Sequence, residues 1–230
     1  MKRAIVIGAT SGIGRALAER LAAEGYRVGV TGRREALLEE LAASRPGSFC
    51  YAAADIMDPA AACAALERLA GELGGMDLCV VSAGTGDLNP GLDYALEEPA
   101  IRTNVVGWTA AVDWAYGRFE ERGGGHLVVI TSVGGLRGGG AAPAYNASKA
   151  YQINYAEGLR QRAAKSGLPL PVTDIRPGFV ATALLRNADY PMLMRPEKVA
   201  ETLFRALECG KRRIVIDHRY ALLVRLWRLI

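Results

Sequence analysis

Residues 141–157 read AAPAYNASKAYQINYAE and place three tyrosines, Tyr145, Tyr151 and Tyr155, around one lysine, Lys149. Four residues on an α-helix rotate about 400°, so Tyr145 and Lys149 share a face one turn apart. Neither Tyr151 nor Tyr155 has a lysine three or four positions away; these two are expected to pack or to line an interface. An ordinary tyrosine, with a pKa of about 10, is a poor base at neutral pH. A nearby ammonium favours the phenolate and lowers that pKa, which makes the phenol a usable acid and base for a carbonyl–alcohol pair. Tyr145 is thus the residue expected to move a proton. Ser132 ends the run HLVVITS, thirteen residues earlier, and a hydroxyl there can hold a substrate oxygen beside the tyrosine. Asn104, in IRTNVVG, is polar amid apolar neighbours; taken by itself it reads as a residue bonding local backbone.

A second constellation lies at the start of the chain. The first apolar run leads into GATSGIG and then into RALAERLAAEG. The pattern G-x-x-x-G-x-G at a strand-to-helix junction is the setting of a phosphate cradle. Gly8 permits the tight turn, Gly12 lets backbone approach a pyrophosphate, and Gly14 lets the helix pack against the strand. The helix N-terminus then offers unpaired N–H groups and a positive dipole end. The second apolar run, RVGVTG, ends in Arg33 and Arg34, and no acid occurs before Glu35. An acid near this point binds the ribose 2′-hydroxyl of NAD, whereas arginine accommodates the 2′-phosphate of NADP. A guanidinium can grip a phosphate with two parallel hydrogen bonds. We therefore expect Arg33 to contact a 2′-phosphate, with Arg34 as helper. Asp55, in YAAADIMD, is placed to bond an adenine amino group, and a bare helix cap would look the same.

The elements that must position these residues follow from apolar runs alternating with amphipathic stretches. Strands are expected at Ala4–Gly8, Arg27–Thr31, Ser48–Ala53, Leu78–Ser82, His126–Thr131, Val172–Arg176 and Arg213–Ile216. Helices are expected at Gly12–Glu24, Arg34–Ser44, Pro59–Glu72, Ile101–Arg122, Ala144–Lys165 and Glu197–Glu208. The strands are rich in Val and Ile and nearly unbroken in apolar character, as parallel strands covered on both faces read. Alternation with crossovers implies a doubly wound α/β sheet of about seven strands between two helical layers. A chain of 230 residues, half of them hydrophobic and 23% charged, can bury about 70–75% of its unfolded surface. With no linker-like stretch, residues 1–230 are expected to form one domain.

Composition excludes other classes. The four cysteines form no CxxC pair and only two histidines occur, so metal-ligand spacing is missing. Reduced thiols and a short apolar start, MKRAIVIG, fit a cytoplasmic protein. The net charge of +4 is concentrated at the end, where Lys211, Arg212, Arg213, Arg219, Arg225 and Arg228 face only Asp217. The body carries no basic patch that would suggest nucleic acid.

The motifs together resemble the short-chain dehydrogenase/reductase family, in its branch of about this length. GATSGIG, Asp55, Asn104, Ser132, Tyr145-x-x-x-Lys149 and RPGFVAT at 176–182 match in order and spacing, over residues 1 to about 216. The resemblance implies a Rossmann-type fold and a catalytic tetrad of Asn104, Ser132, Tyr145 and Lys149. Tyr145 would exchange the proton and Ser132 orient the substrate oxygen. Lys149 would bind the nicotinamide ribose and depress the tyrosine pKa, and Asn104 would hold a water in a proton relay. The cofactor would lie against Gly8, Thr10, Ser11, Gly12, Ile13, Gly14, Arg33, Arg34, Asp55, Ile56, Ala83, Gly84, Tyr145 and Lys149. At its nicotinamide end it would meet Pro177, Gly178, Val180 and Thr182. Two departures stand out: Val81-Ser82-Ala83-Gly84 replaces the usual Asn-Asn-Ala-Gly, and the chain runs on through HRYALLVRLWRLI in place of an Asp-Gly-Gly turn.

The expected function is hydride transfer between NADP(H), favoured over NAD(H), and a small carbonyl or alcohol substrate. The alternatives are an NAD-dependent alcohol dehydrogenase and a non-catalytic NADP(H)-binding regulator. Residues 183–196, with Leu184, Leu185, Tyr190, Met192, Leu193 and Met194, would cover an apolar substrate, while Arg186 leaves an anionic one open. Residues 218–230 are expected to form an amphipathic helix that packs on the body, on a partner subunit, or on a membrane surface. A homodimer or homotetramer is expected through the helices carrying Asn104 and Tyr145, around Trp108, Trp114 and Tyr151–Tyr155.

Overall fold

The computed structural model of the chain describes residues 1–185 and 190–227, with side chains up to Val224. Strands β1 (Arg3–Ile7), β2 (Arg27–Gly32), β3 (Phe49–Ala53), β4 (Leu78–Val81), β5 (His126–Ile130), β6 (Val172–Pro177) and β7 (Arg213–Ile216) form one parallel sheet in the order β3-β2-β1-β4-β5-β6-β7. Each starts and ends within one residue of its expected place. The order reverses between β1 and β4, and the crevice outside the carboxyl ends there is where ligands of such sheets bind.

Period-two alternation along each strand sends neighbours to opposite faces. Ala4 and Val6 join one core with helices α1 (Gly12–Ala23), α2 (Glu35–Ser44) and α7 (Pro196–Glu208). Ile5 and Ile7 join the other with α3 (Pro59–Leu73), α5 (Trp108–Arg122) and α6 (Pro143–Ser166). The sheet is thus covered on both sides, which is why its strands carry so few polar residues. Local chemistry sets the helix ends. Asp58 accepts from the Ala61 N–H ahead of Pro59, and Gly74 ends α3 in the left-handed region, the pairing of cap and stop expected of a helix.

Two findings differ from the expected elements. The helix expected from Ile101 is preceded by α4 (Tyr94–Ile101), capped by Asp93 and containing Pro99. It continues through a π-helical turn, Arg102–Gly107, before α5 begins. Asn104 sits in that turn, and such turns recur at functional sites. Trp108 is fully buried, packed edge-on against Tyr151 and Tyr155, whose rings stack at 5.6 Å. Trp108 therefore belongs to the core and does not itself line a subunit surface. Tyr151 pairs with the Thr109 hydroxyl at 2.9 Å and Tyr155 donates to Asp113 at 2.7 Å, as the packing reading of both tyrosines requires.

The last helix, α8 (His218–Trp227), turns Tyr220 and Val224, one turn apart, into the core. Its first two turns dock on the body. The side chains of Arg225, Leu226, Trp227, Arg228, Leu229 and Ile230 lie outside the described residues. No described helix is long and apolar enough to cross a membrane.

Candidate active site

The glycine-rich turn closes over the end of β1. Gly8 has φ +89°, a conformation that L side chains rarely adopt, and a Cβ on Gly14 would collide with the Gly8 carbonyl oxygen. The turn and the first helical residues are therefore pressed together as a cradle. Ser11 stands at the N-cap of α1 yet its side chain makes no capping hydrogen bond, and among the described residues no acid occupies the first turn. The N–H groups at this helix start stay free of side-chain caps, and the positive dipole end meets no carboxylate. Both features suit a pyrophosphate. The Thr182 side chain reaches the same place, since a Cβ on Gly12 would come within 2.9 Å of it. Ile13 packs against the core behind the cradle.

Of the two arginines after β2, Arg34 bends over the cradle. Its guanidinium donates to Thr10 Oγ1 and to Ser11 Oγ, both at 2.7 Å. Arg33 and Arg34 are both exposed, and Arg34 stands at the N-cap position of α2, facing the loop. Asp55 accepts from the Met57 N–H at 2.9 Å, and Ile56 is buried against the helix that carries Asn104. Gly84 follows Ala83 at the end of β4, and a Cβ on it would lie 3.3 Å from both Asn104 Oδ1 and Lys149 Nζ.

The four tetrad candidates converge from three elements. Ser132 follows β5, accepts from the Gly134 N–H at 3.0 Å and lies 3.5 Å from the Pro177 carbonyl. Tyr145 and Lys149 stand on α6, with Lys149 Nζ 5.8 Å from the Tyr145 ring centre. Burial pushes the Tyr145 phenol up, and a hydrogen bond with Ser132 pulls it back. Lys149 is itself buried, and burial lowers it to about 8 against the opposing pull of Asp174. Its ammonium donates to the Ile130 carbonyl at 3.2 Å and to Gln152 Oε1 at 2.9 Å. Asn104 pins the strand-end loop, accepting from the Thr85 N–H at 2.9 Å and donating to the Thr85 carbonyl at 2.7 Å.

Beyond β6 the chain forms the far wall. Val180 bridges to Met194, and Met194 is buried in the core; it anchors the covering segment instead of lining it. Tyr190 packs on Phe179 with ring centres 4.4 Å apart and planes tilted by 36°. Arg186 lies outside the described residues. A Cβ on Gly178 would enter the Tyr220 ring. The Tyr220 hydroxyl accepts from the Phe179 N–H at 3.1 Å and donates to the Pro191 carbonyl at 2.9 Å, so the tail helix ties the covering segment at Pro191 to the chain just after β6. Removing that hydroxyl leaves a partly buried N–H unpaired, at a cost of about 1–2 kcal/mol. Tyr220→Phe is therefore expected to speed proteolytic cleavage within residues 183–194 by roughly 5- to 30-fold, read by limited proteolysis. An unchanged cleavage rate would show that the segment is held by packing alone.

Two site residues escaped the sequence reading. Glu97, on α4, accepts from the Ala144 N–H at the start of α6 at 2.9 Å and from Asn89 at 2.6 Å, so a carboxylate steadies the helix end that presents Tyr145. Gln152 bridges Lys149 and Asn104. Glu97 meets Ala144 and Gln152 meets Asn104 across more than forty residues of sequence, so local spacing does not announce these contacts.

Similarity to known proteins agrees with this geometry. Residues 2–191 match the family described as short chain dehydrogenase. The chain is 34% identical, over its whole length and 92% of the relative, to an uncharacterized oxidoreductase of Myxococcus xanthus. It superposes on a short-chain dehydrogenase from Streptomyces avermitilis with TM-score 0.86 and 25% identity, covering 97% of this chain and 91% of that one. It superposes also on an actinorhodin polyketide ketoreductase solved with NADPH, with TM-score 0.81 and 25% identity over 94% and 95% of the two chains. A phosphate cradle at the first turn, a phenol beside a buried ammonium and this likeness along nearly the whole chain lead to one assignment: the protein belongs to the short chain dehydrogenase family and is an NAD(P)-dependent oxidoreductase.

Proposed function

We propose that the chain is an NADP(H)-dependent reductase of carbonyl compounds, working through Asn104, Ser132, Tyr145 and Lys149. A nicotinamide held in the cleft would supply the hydride. Ser132 holds the substrate oxygen and Tyr145, hydrogen-bonded to it, gives that oxygen its proton. Lys149 sets a positive charge below the phenol, and Asn104 keeps the loop after β4 in place. The observation that carries this reading is the meeting of Ser132 and Tyr145 at Gly134, where a Cβ would lie 3.3 Å from Ser132 Oγ and 3.6 Å from the Tyr145 ring, beside the buried Lys149. With Tyr190, Phe179 and Leu185 on the far wall, an apolar ketone or aldehyde suits the cleft better than a sugar phosphate.

The preference for NADP(H) is supported by the Arg34 guanidinium on the lip of the cradle. No acid stands between the end of β2 and Glu35, and the similar ketoreductase was solved with NADPH. Charge-assisted hydrogen bonds contribute about 1.5–3 kcal/mol. Arg34→Ala is thus expected to weaken NADPH binding by roughly 10- to 100-fold and NADH binding by less than about threefold, as followed by nicotinamide fluorescence. Equal losses for both cofactors, or tighter NADH than NADPH binding by the native chain, would favour the NAD-dependent alternative.

A further inference from the structure

Gln152 is fully buried one turn beyond Lys149. Its Oε1 accepts from Lys149 Nζ at 2.9 Å, and its Nε2 donates to the main-chain carbonyl of Asn104 at 2.9 Å. Chemistry forces this orientation, because an ammonium only donates and a carbonyl oxygen only accepts. Lys149 has three N–H bonds. One goes to the Ile130 carbonyl and one to Gln152, so tetrahedral geometry fixes the third. Nζ also faces Gly84, on which a Cβ would lie 3.3 Å away. We propose that Gln152 is a positioning residue whose side-chain amide ties the Lys149 ammonium to the carbonyl of Asn104, the residue to which the family resemblance gives a relay water, and so aims the remaining N–H of Lys149 into the cleft. The proposal rests on the catalytic reading of Lys149 above.

The consequence differs from that of a water. A water can pass a proton along; an amide at neutral pH does not. Gln152 therefore holds the ammonium without opening a proton path through the Asn104 carbonyl. It also supports the charged form of a lysine that burial works against. The ionisable groups that bear on Lys149 are Tyr145 on its own helix and Asp174 on β6, itself paired with Arg176. Asn104, Ser132 and Gly84, on the other surrounding elements, bring no charge.

The test reads Lys149 directly. The chain has five lysines, so 13Cε-labelled lysine gives a short spectrum, and Lys149→Arg identifies the signal. In the native chain the signal should titrate near 8. Gln152→Met keeps the bulk and helix propensity but removes the acceptor, and the midpoint should fall by about one pH unit. Gln152→Glu sets a carboxylate beside the ammonium, and the midpoint should rise by at least about one unit. The alkaline limb of kcat/KM should follow in the same two directions. Unchanged midpoints in both variants, in protein that still melts cooperatively, would overturn the proposal. The cofactor-free titration needs no turnover, so it separates from a failure of the catalytic reading, which the Tyr145 variant decides.

Discussion

Tyr145→Phe is expected to lower kcat by about 10²- to 10⁴-fold, the usual worth of a positioned general acid, while NADP(H) binding changes by less than about threefold. The ring keeps its place and only the hydroxyl that meets Ser132 is lost. The protonation states fit the reducing direction. Burial raises the phenol above its ordinary value and lowers Lys149 to about 8, because a low-dielectric site disfavours both charges. At neutral pH the phenol is therefore protonated and can donate, and Lys149 still carries its charge. Carbonyl reduction should hold across neutral pH and fall on the alkaline side, as the lysine loses its proton. Alcohol oxidation needs the phenolate and should rise with pH over the same range. Turnover of a carbonyl panel with native and variant protein, beside cofactor titration of each, separates kcat from binding. A variant that reduces carbonyls at the native rate would remove Tyr145 from the chemistry. If neither protein turns over any compound while both bind NADPH tightly, the non-catalytic regulator is the better reading.

Much of this site was legible before any coordinates. Seven strands could be placed within a residue because a parallel sheet covered on both faces leaves unbroken Val- and Ile-rich runs, such as RAIVI and HLVVI. The cradle was legible because its glycines are demanded by backbone geometry at a known junction. Tyr145 and Lys149 were legible because four residues make one helical turn. What escaped depends on contacts between distant segments. α4 was missed because Pro99, which removes a backbone donor, reads as a break, yet the helix runs through it into the π turn. That Arg34 bends over the cradle depends on the exact start of α2, which decides which side chain faces the loop. Lys149 was assigned an effect on the phenol from its spacing alone. Spacing carries no measure of burial, and burial raises the phenol here.

Behind the site lies the polar cluster that most strains the economy of the core. Asp174 and Arg176 are two positions apart on β6 and so share a face; both are buried. Arg176 donates to Asp174 Oδ2 through Nε at 2.7 Å, and Thr131 donates to Oδ1 at 2.6 Å. Removing one partner of such a pair leaves a buried charge unanswered, which costs about 3–5 kcal/mol. Arg160 adds to the cost, since its own charge is opposed by Arg176 and supported by Asp174. Asp174→Ala is therefore expected to lower the melting temperature by roughly 6–20 °C. The double variant Asp174→Leu with Arg176→Met removes both charges and should recover to within about 1–2 kcal/mol of the native chain. Thr131 keeps an acceptor in that variant, the Ile175 carbonyl at 3.3 Å. The two outcomes distinguish the physics. A mild single variant would mean that water reaches the pair, and a double variant as weak as the single one would mean that the charges themselves hold β5 to β6. The same cluster reaches the chemistry, since Thr131 stands between Ile130, whose carbonyl takes the Lys149 ammonium, and Ser132. Without Asp174 the lysine loses the opposing pull that now keeps it charged, so the alkaline limb of activity should move to lower pH in the double variant, even where stability is regained.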